Sequence, residues 1–208
     1  IRSYGYKVGS IPCGKANLIT DVPGVKVGHC TVEENGHKTG VTAVIPCDGN
    51  VFVKKPVASV FTLNGYGKTA GTIQIEELGV IETPICLTNT LNVGLAADAL
   101  VEYTIRQCEK DQVEVTSVSP VVGECNDCRE TNDSLINPIQ ERAVEVHHVI
   151  QALESASEAF EQGCVGAGRG TVCCGLKGGI GSSSRVLDFA GKTYTLGALV
   201  QSNFGRME

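Results

Sequence analysis

The sequence predicts an α/β or α+β domain. Short β-branched runs alternate along the chain with segments of helical period, and glycine-rich turns separate them. No linker, low-complexity segment or internal repeat divides the 208 residues, so residues 1–208 read as a single domain portion.

Residues 25–32 (VKVGHCTV), 40–45 (GVTAVI) and 57–63 (VASVFTL) are β-branched, flanked by Gly, Pro or Asn, and read as strands. Residues 84–88 and 113–124 read the same way, with Pro120 confined to an edge or an end of its run. A helix over 93–108 follows from apolar residues at Val93, Ala96, Ala97, Leu100, Tyr103, Ile105 and Cys108. A longer helix is predicted from Asn137-Pro138, as N-cap and first helical residue, through Ile139, Ala143, Val146, Ile150, Leu153, Ala156 and Phe160, with Gly163 ending it. A weaker helical pattern covers 69–79, and RVLDFAG with KTYTLGALVQSN reads as a hairpin-like pair.

Composition excludes several functions. A 42% hydrophobic, 19% charged chain is not intrinsically disordered. The net charge of −6 and the lack of any Lys/Arg run of five argue against nucleic acid as a partner. No apolar stretch reaches the ~18 residues of a membrane span, and the first residues lack a signal-peptide core. Ten cysteines without a secretory signal point to a reducing, cytoplasmic setting. The chain begins at Ile1 and has its only methionine at Met207, so a trimmed, processed or partial product is expected.

Three features are candidates for chemistry. Eight glycines fall within residues 163–185, but Lys177 is followed by Gly178, so no G-x-x-x-x-G-K-[ST] phosphate loop is present. Tight turns and close backbone approaches account for them better. Cys125-Asn126-Asp127-Cys128 is a CxxC, a redox pair or half of a zinc site, with Cys173–Cys174 and His147–His148 as remaining ligand offers. Most cysteines read more simply as small core hydrophobes, His29 as half-buried structure and His37 as solvated in its turn. Finally, Asn64, Asn89, Asp127, Lys177 and Asn203 each end an apolar run. Singly they are turn formers. Together they make a set able to orient a peptide-like substrate and stabilise an oxyanion. No nucleophile with a partner base is found, since Ser182, Ser183 and Ser184 form no G-x-S-x-G elbow.

The stretches ITDVPGVKVGHCT (19–31), TGVTAVIP (39–46), LNGYGKTAG (63–71), IEELG (75–79), PICLTNTLNVG (84–94), PVVGECND (120–127), KGGIGSSSR (177–185) and LVQSNFG (199–205) run in collinear order over nearly the whole chain. In them the sequence resembles the L-aminopeptidase/D-esterase (DmpA-like) family of self-processing N-terminal-nucleophile hydrolases, which includes β-aminopeptidases and nylon-oligomer hydrolases. The resemblance implies an αββα four-layer sandwich completed by a separate β chain, with this sequence as the α chain. It implies an aminopeptidase or amidase acting on short peptides or amino-acid amides, with the Ser or Thr nucleophile at the start of the β chain. No cofactor or metal is implied. The implied partners are the β chain of the same precursor, a small peptide or amide substrate, and further αβ units in a homo-oligomer.

Residue by residue, the resemblance makes Asn203 an amide donor to the tetrahedral oxyanion and Lys177 an ammonium favouring that oxyanion. It places Asp127 where the family has an acid meeting the substrate's free amine. After Asp127 the family commonly has Gly, an aromatic and then L-N-D. Here Cys128, Arg129, Glu130 and Thr131 precede Asn132-Asp133, which makes Arg129 or Glu130 a candidate determinant of specificity. Asn64 and Asn89 are expected on the substrate side, and Lys68 stands where LNGxGE has an acid. The alternatives are a hydrolase of non-peptide amides and a cysteine-based redox or zinc-binding protein.

Overall fold

Strand β1 (Lys26–Val32) turns into β2 (Thr39–Ile45) as an antiparallel pair with Val27 opposite Val44 and Val32 opposite Thr39. The computed structural model describes residues 4–130 and 135–205. A short helix α1 (Val51–Lys54) and helix α2 (Thr72–Leu78) lead to β3 (Ile85–Asn89), which pairs antiparallel with β2. Helix α3 (Val93–Lys110) crosses over to β4 (Val121–Cys125), parallel to β3, giving a four-stranded sheet in the order β1-β2-β3-β4. The two-residue strands β5 (Arg129–Glu130) and β6 (Leu135–Ile136) pair next, followed by helix α4 (Val146–Glu154). Strands β7 (Val172–Cys173) and β8 (Leu176–Lys177) make a small ladder before the long hairpin of β9 (Gly179–Phe189) and β10 (Lys192–Ser202).

Strand alternation assigns the two faces of the main sheet. Cys30, Val41, Ala43, Cys86 and Val122 face α3 and α4, meeting Val93, Ala96, Ala99, Leu100, Val149, Ala152 and Leu153 in one core. Val27 and Val44 point the other way, toward Phe160 and Leu199 of β10. The 3-10 turn Gly166–Gly168 fills the space beside them, with Ala167 N donating to Thr42 Oγ1 at 3.1 Å and Gln201 Nε2 donating to Ala167 O at 2.9 Å. The described residues thus supply helix, sheet and second-sheet layers. On the far side of the hairpin Tyr194, Leu196 and Val200 are exposed.

Several elements differ from expectation. Residues 57–63 form no strand. Val57 makes one bridge to Val80, and beyond it no backbone edge among the described residues pairs with the run, leaving Phe61 and Leu63 exposed. The predicted strand over 113–124 starts only at Val121, past Pro120, which has no N–H to give a ladder. The long helix from Asn137 is broken: Asn137 and Arg142 have φ of 56° and 51°, incompatible with helix, and α4 begins at Val146 behind Glu145. It ends at Glu154 because the chain then serves the edge of β1, Val27 and Ser157 exchanging backbone hydrogen bonds of 3.0 Å. Phe160 therefore reaches the second core from a bent, non-helical segment rather than from a helix face.

His37 is buried rather than solvated, its Nε2 3.1 Å from Glu141 Oε2. His29 is half-buried, with Nδ1 2.9 Å from Thr42 Oγ1 and Nε2 3.0 Å from Glu161 O. Of the ten cysteines, only Cys30, Cys86 and Cys108 are core residues. Cys164 is exposed and the others are half-buried. Thr131, Asn132 and Asp133 lie outside the described residues.

Strand β1 approaches α4 where it has no side chain: a Cβ on Gly28 would stand 2.0 Å from Ala152 O. Gly28→Ala must therefore push the helix off the sheet. It is expected to destabilise the protein by about 1–3 kcal/mol, read as a lowered urea midpoint at unchanged slope. An unchanged midpoint would show that the α4–β1 contact is looser than this.

Candidate active site

Two strand ends bring two of the sequence-predicted residues, Arg129 and Asn203, together. Beyond β4 comes the loop Asn126-Asp127-Cys128-Arg129, and beyond β10 comes Asn203. Between them and β7 opens a cleft of about 580 Å³ whose walls include Arg129, Val172, Asn203 and Phe204. A separate cavity of about 130 Å³ lies between α1 and α3, walled by Phe52, Glu82 and Tyr103, and holds none of the predicted residues.

The carboxamide of Asn203 has one orientation fixed by its partners. Arg129 Nη2 at 2.5 Å and Val172 N at 3.1 Å are both donors, so they must face Oδ1. Nδ2 is thereby turned the other way, donating to Asn126 O at 2.9 Å, and one of its N–H bonds has no acceptor among the described residues. Asn203 and Arg129 are thus neighbours in the cleft wall. Arg129 also donates to Val172 O at 3.3 Å.

Asp127 departs from its expected place. It is 1% exposed, its Oδ2 accepting from Thr39 Oγ1 and its Oδ1 from Asn137 Nδ2, both at 2.6 Å, so it does not reach a substrate amine. The network continues through Asn89, which donates to Thr39 Oγ1 at 3.0 Å and accepts from Asn92 Nδ2 at 2.8 Å. Asn89 is likewise buried and lies behind the cleft rather than in it. Gly170 closes this chamber: a Cβ there would be 2.1 Å from Lys38 O and 2.9 Å from Asp127 Cβ. Burial pushes the Asp127 carboxyl up to about 6, against the opposing pull of the Thr39 hydroxyl and the Arg129 charge.

Lys177 is also committed elsewhere. Its ammonium donates to the carbonyls of Gly168, Thr171 and Gly178, each at 2.8 Å, so its three protons gather the glycine-rich loop rather than face the cleft. Burial holds its pKa below the usual lysine value. Asn64 forms an Asx turn with Tyr66 N at 3.0 Å, in the wall of a different groove of about 350 Å³. Lys68 is exposed, its Nζ 4.0 Å from the centre of the Tyr66 ring.

Sequence reasoning missed Thr39, Asn137, Asn92 and Glu124. Glu124, near the end of β4, accepts from Lys68 N at 3.0 Å and from Thr90 Oγ1, pinning loop 64–70 to the sheet. Asn137 was legible only as a helix cap, because nothing local signals a partner ten residues back. In the CxxC, burial pushes the Cys125 thiol up to about 11, which disfavours the thiolate that redox or metal chemistry there would use. Among the described residues no three of His, Cys, Asp and Glu converge on a common point.

The raised Asp127 pKa makes stability depend on pH with a definite sign. The folded state holds the proton more tightly than the unfolded chain, so stability is full below the unfolded value near 3.8 and declines as pH rises through about 6. This single group accounts for a decline of up to about 3 kcal/mol. Asp127→Asn is expected to flatten urea-midpoint profiles between pH 4 and 6.5, and a slope identical to the parent protein would refute the assignment. Lys177→Met, which takes a charged donor from three carbonyls and leaves Gly168 O and Thr171 O only their Thr171 Oγ1 and Gly178 N donors, is expected to cost about 1–3 kcal/mol, measured in the same titration.

A family model described as peptidase family S58 matches residues 17–208. The β-peptidyl aminopeptidase BapA of Sphingosinicella microcystinivorans is 37% identical over 202 residues, which cover 92% of this chain and 48% of that protein. The PH0078 protein of Pyrococcus horikoshii OT3 superposes with a TM-score of 0.89 at 46% identity, over 99% of this chain and 59% of its own. The L-aminopeptidase D-Ala-esterase/amidase of Ochrobactrum anthropi, described as a prototype serine aminopeptidase with a variant Ntn hydrolase fold, superposes with a TM-score of 0.85 at 34% identity. That match covers 96% of this chain and 56% of its own. The chain spans about half the length of the relatives it matches, and its fold is that of the Ntn hydrolase variant. By the family model and these likenesses together, the chain belongs to peptidase family S58.

Proposed function

We propose that this chain is the α portion of a self-cleaving N-terminal-nucleophile aminopeptidase that removes N-terminal residues from short peptides or amino-acid amides. The observation carrying this reading is the Asn203 carboxamide, locked by Arg129 and Val172 with an N–H left over at an open cleft. An amide so held is an oxyanion donor that needs no reorganisation during reaction. A Ser or Thr at the start of a second chain supplies the nucleophile, and its own α-amine, titrating at about 7.7–8.0, takes the hydroxyl proton. The oxygen adds to the substrate carbonyl, and the new oxyanion accepts from Asn203 Nδ2. Collapse expels the leaving amine, which receives the proton, and water then releases the acyl group by the same route.

The partner chain also fits the exposed apolar face of the β9–β10 hairpin, and assembly of such αβ units into a homo-oligomer accompanies the reading. Ten cysteines with no disulfide among them favour a cytoplasmic setting.

Intact mass spectrometry of the full-length expressed protein is expected to find this chain together with a second polypeptide beginning with Ser or Thr. A single uncut species would overturn self-processing. In the processed enzyme, Asn203→Ala is expected to lower turnover of an aminoacyl p-nitroanilide by roughly 10²-fold or more, the size of one lost oxyanion donor. Undiminished turnover would remove Asn203 from the mechanism.

A further inference from the structure

Cys173 and Cys174 are the only adjacent cysteines in the sequence, and the function proposed above makes no use of them. The β7–β8 ladder pairs Cys173 with Leu176, which leaves Cys174 and Gly175 as a two-residue turn. Both have positive φ, 52° and 78°, the signs of a type I′ turn. Asn-Gly, Asp-Gly or Gly-Gly suits such a turn, so turn chemistry does not explain a cysteine in its first place. The left-handed residue also breaks strand alternation, which lets the two side chains meet instead of pointing to opposite faces. The Cys174 thiol hydrogen-bonds with that of Cys173, and this contact pushes it above its ordinary pKa. Both thiols are free and half-buried, and Cys174 lies in the wall of the Asn203 cleft, where a solute can reach it.

The same hairpin carries hydrogen bonds that set the cleft. Val172 N donates to Asn203 Oδ1 at 3.1 Å, Val172 O accepts from Arg129 at 3.3 Å, and Cys174 N donates to Phe204 O at 2.6 Å. Neighbouring Cα atoms are ~3.8 Å apart, closer than the ~4.4–6.8 Å that most disulfides span. A bond between these two sulfurs is therefore strained and readily reversed, as regulatory disulfides are and structural ones are not. We propose that Cys173–Cys174 is a thiol-modification site that reacts with low-molecular-weight disulfides such as glutathione disulfide and, once bridged, disturbs the Asn203 wall of the cleft. One cysteine thiolate attacks the small disulfide, forming a mixed disulfide and expelling one small thiolate. The neighbouring cysteine then displaces the second. Two protein thiols are oxidised to one disulfide, one small disulfide is reduced to two thiols, and the cysteine protons end on those thiols. The effect on turnover rests on the proposed function, whereas the modification itself does not.

The full-length expressed protein is incubated with glutathione disulfide, quenched with acid and digested with trypsin for mass spectrometry. The peptide Gly170–Lys177 holds these two cysteines and no other. It is expected to lose two hydrogens, to carry no glutathione, and to regain the hydrogens with dithiothreitol. At least one of Cys174→Asn and Cys173→Ser is expected to hold glutathione as a lasting adduct, because the resolving thiol is gone. Asn suits the left-handed position better than the parent residue, so the first variant keeps the turn. A parent peptide that stays reduced, a lasting adduct in the parent, a bridge at Cys125–Cys128 in its place, or no adduct in either variant overturns the proposal. Turnover of an aminoacyl p-nitroanilide is expected to fall in the bridged protein and to return with dithiothreitol. Undiminished turnover at full bridging overturns the link to the cleft. A reduced protein that forms the mapped bridge but shows no turnover would refute the aminopeptidase reading and leave the modification site standing.

Discussion

The carboxylate of Asp127, closed off from water and held by the Thr39 hydroxyl and the Asn137 carboxamide, ties together three distant parts of the chain. Thr39 begins β2, Asp127 follows β4, and Asn137 opens the segment that leads to α4. The loop they immobilise carries Asn126 and Arg129, the acceptor and the donor that set the Asn203 carboxamide. A buried acid with every strong partner in place is a rigid joint, and one with a partner missing is a liability of several kcal/mol. The geometry at the cleft is therefore inherited from hydrogen bonds that never touch a ligand.

Around that joint the glycines act by absence. β1 lies against the α4 backbone at Gly28, and the Gly166–Gly168 turn lies against β2 and β9, where a Cβ on Gly166 would stand 2.6 Å from Thr42 Oγ1 and one on Gly168 2.6 Å from Ile180 N. Lys177 then gathers three carbonyls of the same segment, adding a charged donor to a part-buried loop. The loop has the composition of a phosphate cradle but spends its polar groups on itself.

How much of this was legible in the sequence follows from the range of each force. β1, β2, β3, α3 and the final hairpin came from local alternation and period, which burial on one face imposes directly. The 57–63 run has the composition of a strand, but a strand also needs a partner edge, which composition does not report. The 137–162 pattern has helical period, yet two left-handed residues and the demand of the β1 edge divide it. For the site, the departure from the family pattern after Asp127 drew attention to Arg129, and the rule that polar groups at strand ends gather at a site drew attention to Asn203; both wall the cleft. The same rule misassigned Asp127 and Asn89, since whether such a residue looks outward or inward depends on contacts 50 and 88 residues away. Glu124 escaped notice because a carboxylate used as a loop pin carries no spacing signature.

The outer face of the β9–β10 hairpin has a consequence for synthesis. Two paired strands of eleven residues that expose Tyr194, Leu196 and Val200 are a template for unwanted sheet pairing. A cover supplied by a separate, diffusing polypeptide would have to win a race against self-association at cellular concentrations. A cover translated on the same strand of protein arrives at an effective concentration in the millimolar range. On the proposed two-chain reading, late cleavage lets the polypeptide keep a tether through its most vulnerable moment and discard it once the sheet is sheltered. On the same reading, a cut that exposes a reactive amine would cost little in cohesion, because the tether would already have acted during folding.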